Sequence, residues 1–312
     1  MADAENQEVI LLTGAGGALG RELQMRFQMT AQSVICTSRS AGAGQRLDVT
    51  DYARVRDLLD EYRPTHIFHL AAMVSIPEVE ENPGAALLTN VLGLQNVLKA
   101  VNDLKLATKV VVASSSEVYG SGQKGVKFLE TDPFSPNNFY ACTKTAQEEV
   151  AQLYIRKGLD VRIARVFNYS SIYKKPIYSL ESFASQIAEI ARDGKKKEIL
   201  VGNLSPERDF LQGSDVAAAL IYIAERYAHH RIFNICRGET ISMHELLDKL
   251  IRAFGVDVAV VKDERKYRPL ENLYVCGNNE RLKELGWLPQ YNIDDTVNIL
   301  ARHYKCLYGI QD

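Results

Sequence analysis

Val9-Ile10-Leu11-Leu12-Thr13-Gly14-Ala15-Gly16-Gly17-Ala18-Leu19-Gly20 is the stretch on which the fold turns. Its first five residues form an apolar run of strand length, and the glycines lead into a helical pattern over Leu19–Gln28. Glycines at 14, 17 and 20 meet three needs of a strand-to-helix turn: the sharp turn itself, approach of a pyrophosphate to the backbone, and close helix–strand packing. The helix then presents its unpaired N–H groups to phosphate. Gly14, Gly17, Ala18, Leu19 and Gly20 are therefore candidate dinucleotide contacts. A glycine cluster alone is a weak signal; its place after the first strand of a β-α-β unit gives it meaning.

Working outward, Val34–Thr37 reads as a second strand and Tyr52–Glu61 as a helix stopped by Pro64. His66–Leu70 is a third strand, Pro83–Leu104 a long helix and Lys109–Ala113 a fourth strand. Tyr140–Arg156 is a further helix and Val161–Val166 a strand beyond it. Strands apolar throughout and separated by helices predict a parallel sheet covered on both faces. Right-handed crossovers make it a doubly wound, Rossmann-type α/β sheet. After about Asn168 the pattern loosens: helices near Ser182–Arg192 and Asp215–Tyr227, with the loop Gly202–Gln212 between them. A strand at Ile232–Ile235 follows, then the helix Met243–Phe254 with Ser242 as its N-cap, and a last helix near Asp294–Tyr308. This divides the chain into a dinucleotide-binding domain, 1–171, and a smaller α/β substrate lobe, 172–312, which adds strands to the same sheet and walls one side of a cleft.

The composition agrees with a small-molecule site. Among 312 residues, 37 are Lys or Arg and 39 Asp or Glu, a net charge of −2. That excludes a wholesale binder of nucleic acid or anionic membrane. The five cysteines are scattered without a C-x-x-C, so neither a disulfide framework nor a zinc knuckle is expected. The six histidines suggest no metal site: His66 and His69 fall on opposite faces of one strand, and His229-His230 lies at a helix end. The acidic N-terminus lacks the basic region of a signal peptide, and no apolar run approaches the roughly 20 residues that span a bilayer. The expectation is a cytoplasmic protein without membrane contact.

The end of the second strand selects the dinucleotide. An NAD site carries a carboxylate there for the 2′-hydroxyl, whereas an NADP site carries Arg near the 2′-phosphate. Cys36-Thr37-Ser38-Arg39-Ser40 offers Arg39 and no carboxylate, which points to NADP(H) and leaves NAD(H) possible. Asp48 and Val49 are placed to touch the adenine, and Leu70, Ala71 and Ala72 to lie beside the cofactor ribose. Tyr140 and Lys144 stand at i and i+4 on one helix face. A phenol of pKa about 10 needs a nearby cation to serve as an acid–base group at neutral pH, and Lys144 and the positive nicotinamide ring could both supply it. The hydroxyls of Ser114-Ser115-Ser116 sit at the carboxyl end of the fourth strand, where open α/β sheets bind their ligands.

Thr13-Gly14-x-x-Gly17-x-x-Gly20, His69-Leu-Ala-Ala72, Ser114-Ser-Ser-Glu-Val-Tyr-Gly120 and Tyr140-x-x-x-Lys144, in this order, resemble the extended short-chain dehydrogenase/reductase family that acts on nucleotide-activated sugars. The resemblance covers nearly the whole chain. It implies a catalytic triad of Ser115, Tyr140 and Lys144, with Asn90 beside the active site as a substrate contact. Gly202-Asn-Leu-Ser-Pro-Glu-Arg208-Asp-Phe210 is similar to a segment of the GDP-mannose 4,6-dehydratases and of the related reductases of GDP-4-keto-6-deoxymannose. Arg165-Val-Phe-Asn168 and Arg268-Pro-Leu-Glu271 also resemble substrate-side motifs. The likeness implies that Asn168 and Arg208 contact the nucleotide diphosphate, Arg268 a phosphate and Glu271 the nucleotide ribose. In a dehydratase Glu117 would be the base. Tyr169-Ser-Ser-Ile-Tyr173 departs from the His and Gly-Pro common at this point, and the chain lacks the arginine-rich stretch of the dehydratases. The reading is therefore reduction of the C4 ketone of a GDP-linked 4-keto-6-deoxy sugar. A 4,6-dehydratase or 4-epimerase with a recycled cofactor is the alternative, and a non-catalytic dinucleotide sensor a third. The resemblance also implies a homodimer through a four-helix bundle of the two long helices.

Overall fold

The computed structural model describes residues 8–29, 32–40, 42, 44–194, 197–226, 229–267 and 272–311. The first six strands are β1 (Val9–Thr13), β2 (Ser33–Ser38), β3 (Gln45–Arg46), β4 (His66–His69), β5 (Lys109–Ser115) and β6 (Asp160–Val166). There follow β7 (Asn168–Ser170), β8 (Glu198–Val201), β9 (Glu207–Gln212), β10 (Ile232–Ile235), β11 (Thr240–Ser242), β12 (Ala259–Lys262) and β13 (Tyr274–Val275). Seven of them make one parallel sheet in the order β3-β2-β1-β4-β5-β6-β10. Successive connections leave β1 toward β2 on one side and reach β4 on the other, so a crevice opens between the carboxyl ends of β1 and β4.

Strand alternation builds two cores. Ile10, Leu12, Phe68 and Val111 pack under the helices Ala18–Phe27 and Gly213–Glu225. Leu11, Ile67, Val110 and Val112 face the helices Tyr52–Tyr62, Gly93–Asp103 and Phe139–Arg156. A third core lies among the helices Ser179–Asp193, Met243–Phe254 and Ile293–Tyr308. The Ser242 cap is present with a full capping box: Ser242 Oγ accepts from Glu245 N–H at 3.1 Å, and the Glu245 carboxylate accepts from Ser242 N–H at 3.1 Å.

Two expectations change. The stretch read as the loop Gly202–Gln212 contains β9, which pairs with β7, β11 and β13 in a small sheet of its own. Its partners are two or three residues long, too short to show a periodicity. The long helix over Pro83–Asp103 is widened at Leu88–Leu92 by a π turn, and Ile76–Glu81 is a helix that the sequence reading omits. The helix Gly213–Glu225 and β10 return to the large sheet, so the second lobe is assembled from segments on either side of them. No helix among the described residues is long and apolar enough to cross a membrane, and no group of His, Cys, Asp and Glu there could hold a metal ion.

Candidate active site

The site is a cleft of about 1180 Å³ along the carboxyl edge of the large sheet, roofed by the second lobe. At its floor Gly14 has φ 72°, and a side chain there would put its first carbon 2.7 Å from Ala71 N. At Gly20 the same carbon would meet Ala15 Cα at 2.6 Å, so the helix can start against the strand only with glycine. Gly14, Gly17, Ala18, Leu19 and Gly20 all line the cleft, as do Leu70, Ala71 and Ala72 across from them. The residues fit a dinucleotide: a cradle without side chains at a helix N-terminus is the shape a pyrophosphate requires.

At the far end Ser38, Arg39 and Ser40 line the cleft together with Asp48 and Val49. The Asp48 carboxylate accepts from Thr50 N–H at 2.9 Å and Thr50 Oγ1 at 2.7 Å, which holds it below the usual carboxylate range, with Arg39 and Arg46 adding to the effect. Arg46 sits in β3 directly opposite Ser38 of β2, a second guanidinium near this end. Sequence reading missed it because a two-residue strand carries no pattern.

At the reacting end, Ser115 terminates β5 and Tyr140 lies in the first turn of the helix Phe139–Arg156. Asn138 caps that helix, its Oδ1 accepting from Ala141 N–H at 2.8 Å. Ser115 and Tyr140 both line the cleft. Burial pushes the Tyr140 phenol above its ordinary range, and the nearby Ser115 hydroxyl offsets only part of this. Lys144 Nζ donates to Ala113 O at 2.8 Å and to Gln147 Oε1 at 2.9 Å, and stands 6.0 Å from the Tyr140 ring centroid. Burial brings Lys144 down to about 8, with Glu148 opposing. The expected acidification of the phenol by Lys144 is thus not met in this geometry, because the ammonium is turned toward Ala113 and Gln147. Tyr140 is a proton-bearing acid at neutral pH.

Beneath this layer, Glu148 accepts from Ser114 Oγ at 2.5 Å and pairs with Arg165 at 2.8 Å, both ends of the pair buried. Arg165 therefore belongs to the wall behind the site. His69 Nδ1 lies 3.0 Å from Thr13 Oγ1, and burial, with Lys144 nearby, holds the imidazole down to about 3, so it is neutral.

The remaining candidates divide. Asn168 in β7 and Arg208 in β9 line the cleft, brought together because Asn168 pairs with Phe210 two residues beyond Arg208. Glu117 lines it as well. Asn90 does not reach it. Fully buried in the π turn, it accepts from Met73 N–H at 2.7 Å and donates to Met73 O at 3.0 Å and Thr143 Oγ1 at 2.9 Å. Its amide is consumed in fixing the Met73 backbone, so it supports the cleft wall and is corrected from a substrate contact. Arg268 and Glu271 lie outside the described residues. The sequence reading also passed over Tyr169, Lys174 and Tyr178, all of which line the cleft. Lys174 Nζ donates to Tyr169 O at 2.8 Å and lies 4.4 and 4.5 Å from the ring centroids of Tyr169 and Tyr178. A lysine in a polar loop gives no signal; only the packing of the two rings brings it inward.

A doubly wound sheet, a glycine cradle and a Ser-Tyr-Lys cluster in one cleft define an oxidoreductase of the extended short-chain dehydrogenase/reductase type. The family described as GDP-mannose 4,6 dehydratase matches residues 36–300, and the chain belongs to it. It is 27% identical to the GDP-6-deoxy-D-mannose reductase of Pseudomonas aeruginosa over 95% of this chain and 97% of that one. Identity to the GDP-6-deoxy-D-talose 4-dehydrogenase of Aggregatibacter actinomycetemcomitans is 25%, over 87% and 92% of the two chains. Among solved structures, RMD from Pseudomonas aeruginosa complexed with NADPH superposes with a TM-score of 0.87 at 26% identity, over 96% of this chain and 100% of that one. The UDP-glucose 4-epimerase of Thermus thermophilus in complex with NAD shares the fold, with a TM-score of 0.85 at 24% identity over 95% and 99% of the two chains.

Proposed function

We propose that the protein is an NADP(H)-dependent reductase acting on the C4 ketone of a GDP-linked 4-keto-6-deoxy sugar. The observation that carries this reading is the buried Tyr140 phenol, which lines the cleft together with Ser115 and which burial holds in its protonated form. A ketone reduction needs a group that gives up a proton, whereas a dehydratase or epimerase must first take one from the C4 hydroxyl. Arg39 just past β2, with no carboxylate in the strand-end run Cys36–Ser40, supports NADP(H) over NAD(H). The likeness to a GDP-6-deoxy-D-mannose reductase supports the substrate class.

When bound, the dihydronicotinamide supplies hydride to C4. Tyr140 donates its proton to the alkoxide oxygen that develops there, while Ser115 hydrogen-bonds the same oxygen. Positioned acid help of this kind contributes typically about 10²- to 10⁴-fold. Lys144, which lines the same cleft, would hold the nicotinamide ribose. Asn168 and Arg208 hold the diphosphate, with Arg268 on a phosphate and Glu271 near the ribose. A dehydratase remains the second reading because Glu117 lines the cleft near Tyr140.

The helices over Pro83–Asp103 and Phe139–Arg156 expose Leu88, Leu92, Phe139 and Leu153. This stripe supports a homodimer through a four-helix bundle; a single-chain mass in sedimentation equilibrium sinks it. Five unpaired cysteines suit the reducing cytoplasm, where we place the protein, and its fractionation with a membrane or secreted pool would refute that.

Two incubations test the activity. NADPH should be consumed with GDP-4-keto-6-deoxymannose, and GDP-mannose alone should remain unchanged. A new keto sugar in the second mixture, with NADPH spared in the first, makes the protein a dehydratase instead.

A further inference from the structure

Glu117 is the second residue of the short turn Ser116–Tyr119 directly after β5, and its backbone N–H donates to Ser115 Oγ at 3.2 Å. Its carboxylate oxygen Oε2 accepts from Asn138 Nδ2 at 3.2 Å and from Asn272 Nδ2 at 3.1 Å. The amides are joined in turn. Asn137 Nδ2 donates to Asn272 Oδ1 at 2.7 Å, and Asn138 Nδ2 also donates to Asn137 Oδ1 at 3.1 Å. Asn138 is the residue whose Oδ1 caps the helix carrying Tyr140 and Lys144. Asn272 is buried and comes from the second lobe.

We propose that Glu117 is a positioning residue: it locks the Asn138 cap, and through it the Tyr140 phenol, against Ser115, and ties both to the second lobe. This deepens the reductase reading and rests on it. An asparagine cap can turn its amide over and offer N–H where the helix needs an acceptor. With Nδ2 engaged by Glu117 and Asn137, Oδ1 is directed at Ala141 N–H and the first helical turn has one register. Tyr140 lies in that turn, so a shift there moves the phenol relative to the C4 oxygen. A displacement of about 1 Å at a reacting group can reduce turnover on the order of 10²-fold. The same carboxylate, held between two amides at the helix cap, serves as a brace for the proton donor rather than as a base for a carbon-bound proton.

The test uses the NADPH-loaded full chain with GDP-4-keto-6-deoxymannose. Glu117→Ala should lower kcat roughly 10- to 100-fold, with KM and NADPH affinity within about 3-fold. Glu117→Gln retains a carbonyl oxygen for both amides and should recover most of the lost kcat. Asn272→Ala, which removes one partner from the far lobe, should reproduce part of the loss and serves if the Glu117→Ala variant fails to fold. In deuterated water the NADP-loaded protein should not introduce deuterium at C5 of the ketone above the uncatalysed rate. A loss in Glu117→Gln as large as the roughly 10²- to 10⁴-fold contribution of a general base overturns the proposal. So does C5 exchange by the wild type that the Glu117→Gln variant lacks, and so does an unchanged kcat in both Glu117→Ala and Asn272→Ala. A wild type that spares NADPH refutes the functional reading instead. The exchange measurement still judges Glu117 in that case, since it requires no hydride.

Discussion

The two ends of the cleft are built by different means. The cofactor end is made from successive turns after β1, β2 and β4, strands of a single parallel sheet. Each contributes residues within a few positions of a strand end, so the site is a row of short contiguous segments. The substrate end combines β7 and β9 with loops of the second lobe, segments about forty residues apart joined by a ladder of three pairs. Its polar groups are set by pairing and ring packing, as with Lys174 between Tyr169 and Tyr178. A site laid along one sheet edge is robust and easily read. One assembled from short paired pieces can change its specificity with a few loop residues.

Substitutions should separate the two ends. The largest effect belongs to the shared reacting group: Tyr140→Phe should reduce NADPH-consuming turnover roughly 10²- to 10⁴-fold while leaving NADPH binding nearly intact, as followed by cofactor fluorescence. Retained turnover removes Tyr140 from its role. Arg208→Ala should raise KM for the nucleotide sugar roughly 10- to 100-fold without altering NADPH affinity. An equal loss of NADPH affinity would erase the distinction between the ends. Arg39→Ala should act in the opposite sense, lowering the NADPH-over-NADH preference in kcat/KM by roughly 5- to 50-fold with the sugar KM unchanged; the exposed setting moderates the figure.

A pH series sharpens the comparison where the ends meet. Lys144 is a cation below about 8 and neutral above it, so kcat/KM for NADPH should fall as pH rises through that value, by up to about tenfold per unit. The titrating group is that of the free enzyme, and Lys144→Arg should remove this limb. Ser242→Ala marks the lower bound: loss of the capping box should cost about 1 kcal/mol, seen as a lower Tm, with the affinity of the cofactor end unaffected.

The glycine turn, the hydroxyl run around Ser115 and the Tyr140/Lys144 pair were all legible because each is local: a strand end, a helix start, one helical turn. Asn90 misled, since its residue type and place beside the active site are right but its amide is turned to Met73 and Thr143. Lys144 was rightly placed in the cleft, yet the direction of its ammonium depends on Ala113 of a neighbouring strand and on Gln147. The small sheet around β9 escaped notice because alternation needs more than two or three residues to register.

By itself the chain of residues determined a parallel sheet with helices on both faces and a phosphate cradle at its edge, since apolar periodicity and glycine placement act over a few neighbours. Only the tertiary structure decided which polar groups face the cleft and which are spent holding it open. Hydrogen-bond direction and burial depend on what long-range strand pairing sets alongside: Asn90 turned to its wall, Glu117 bound to two amides, and the Tyr140 phenol left with its proton.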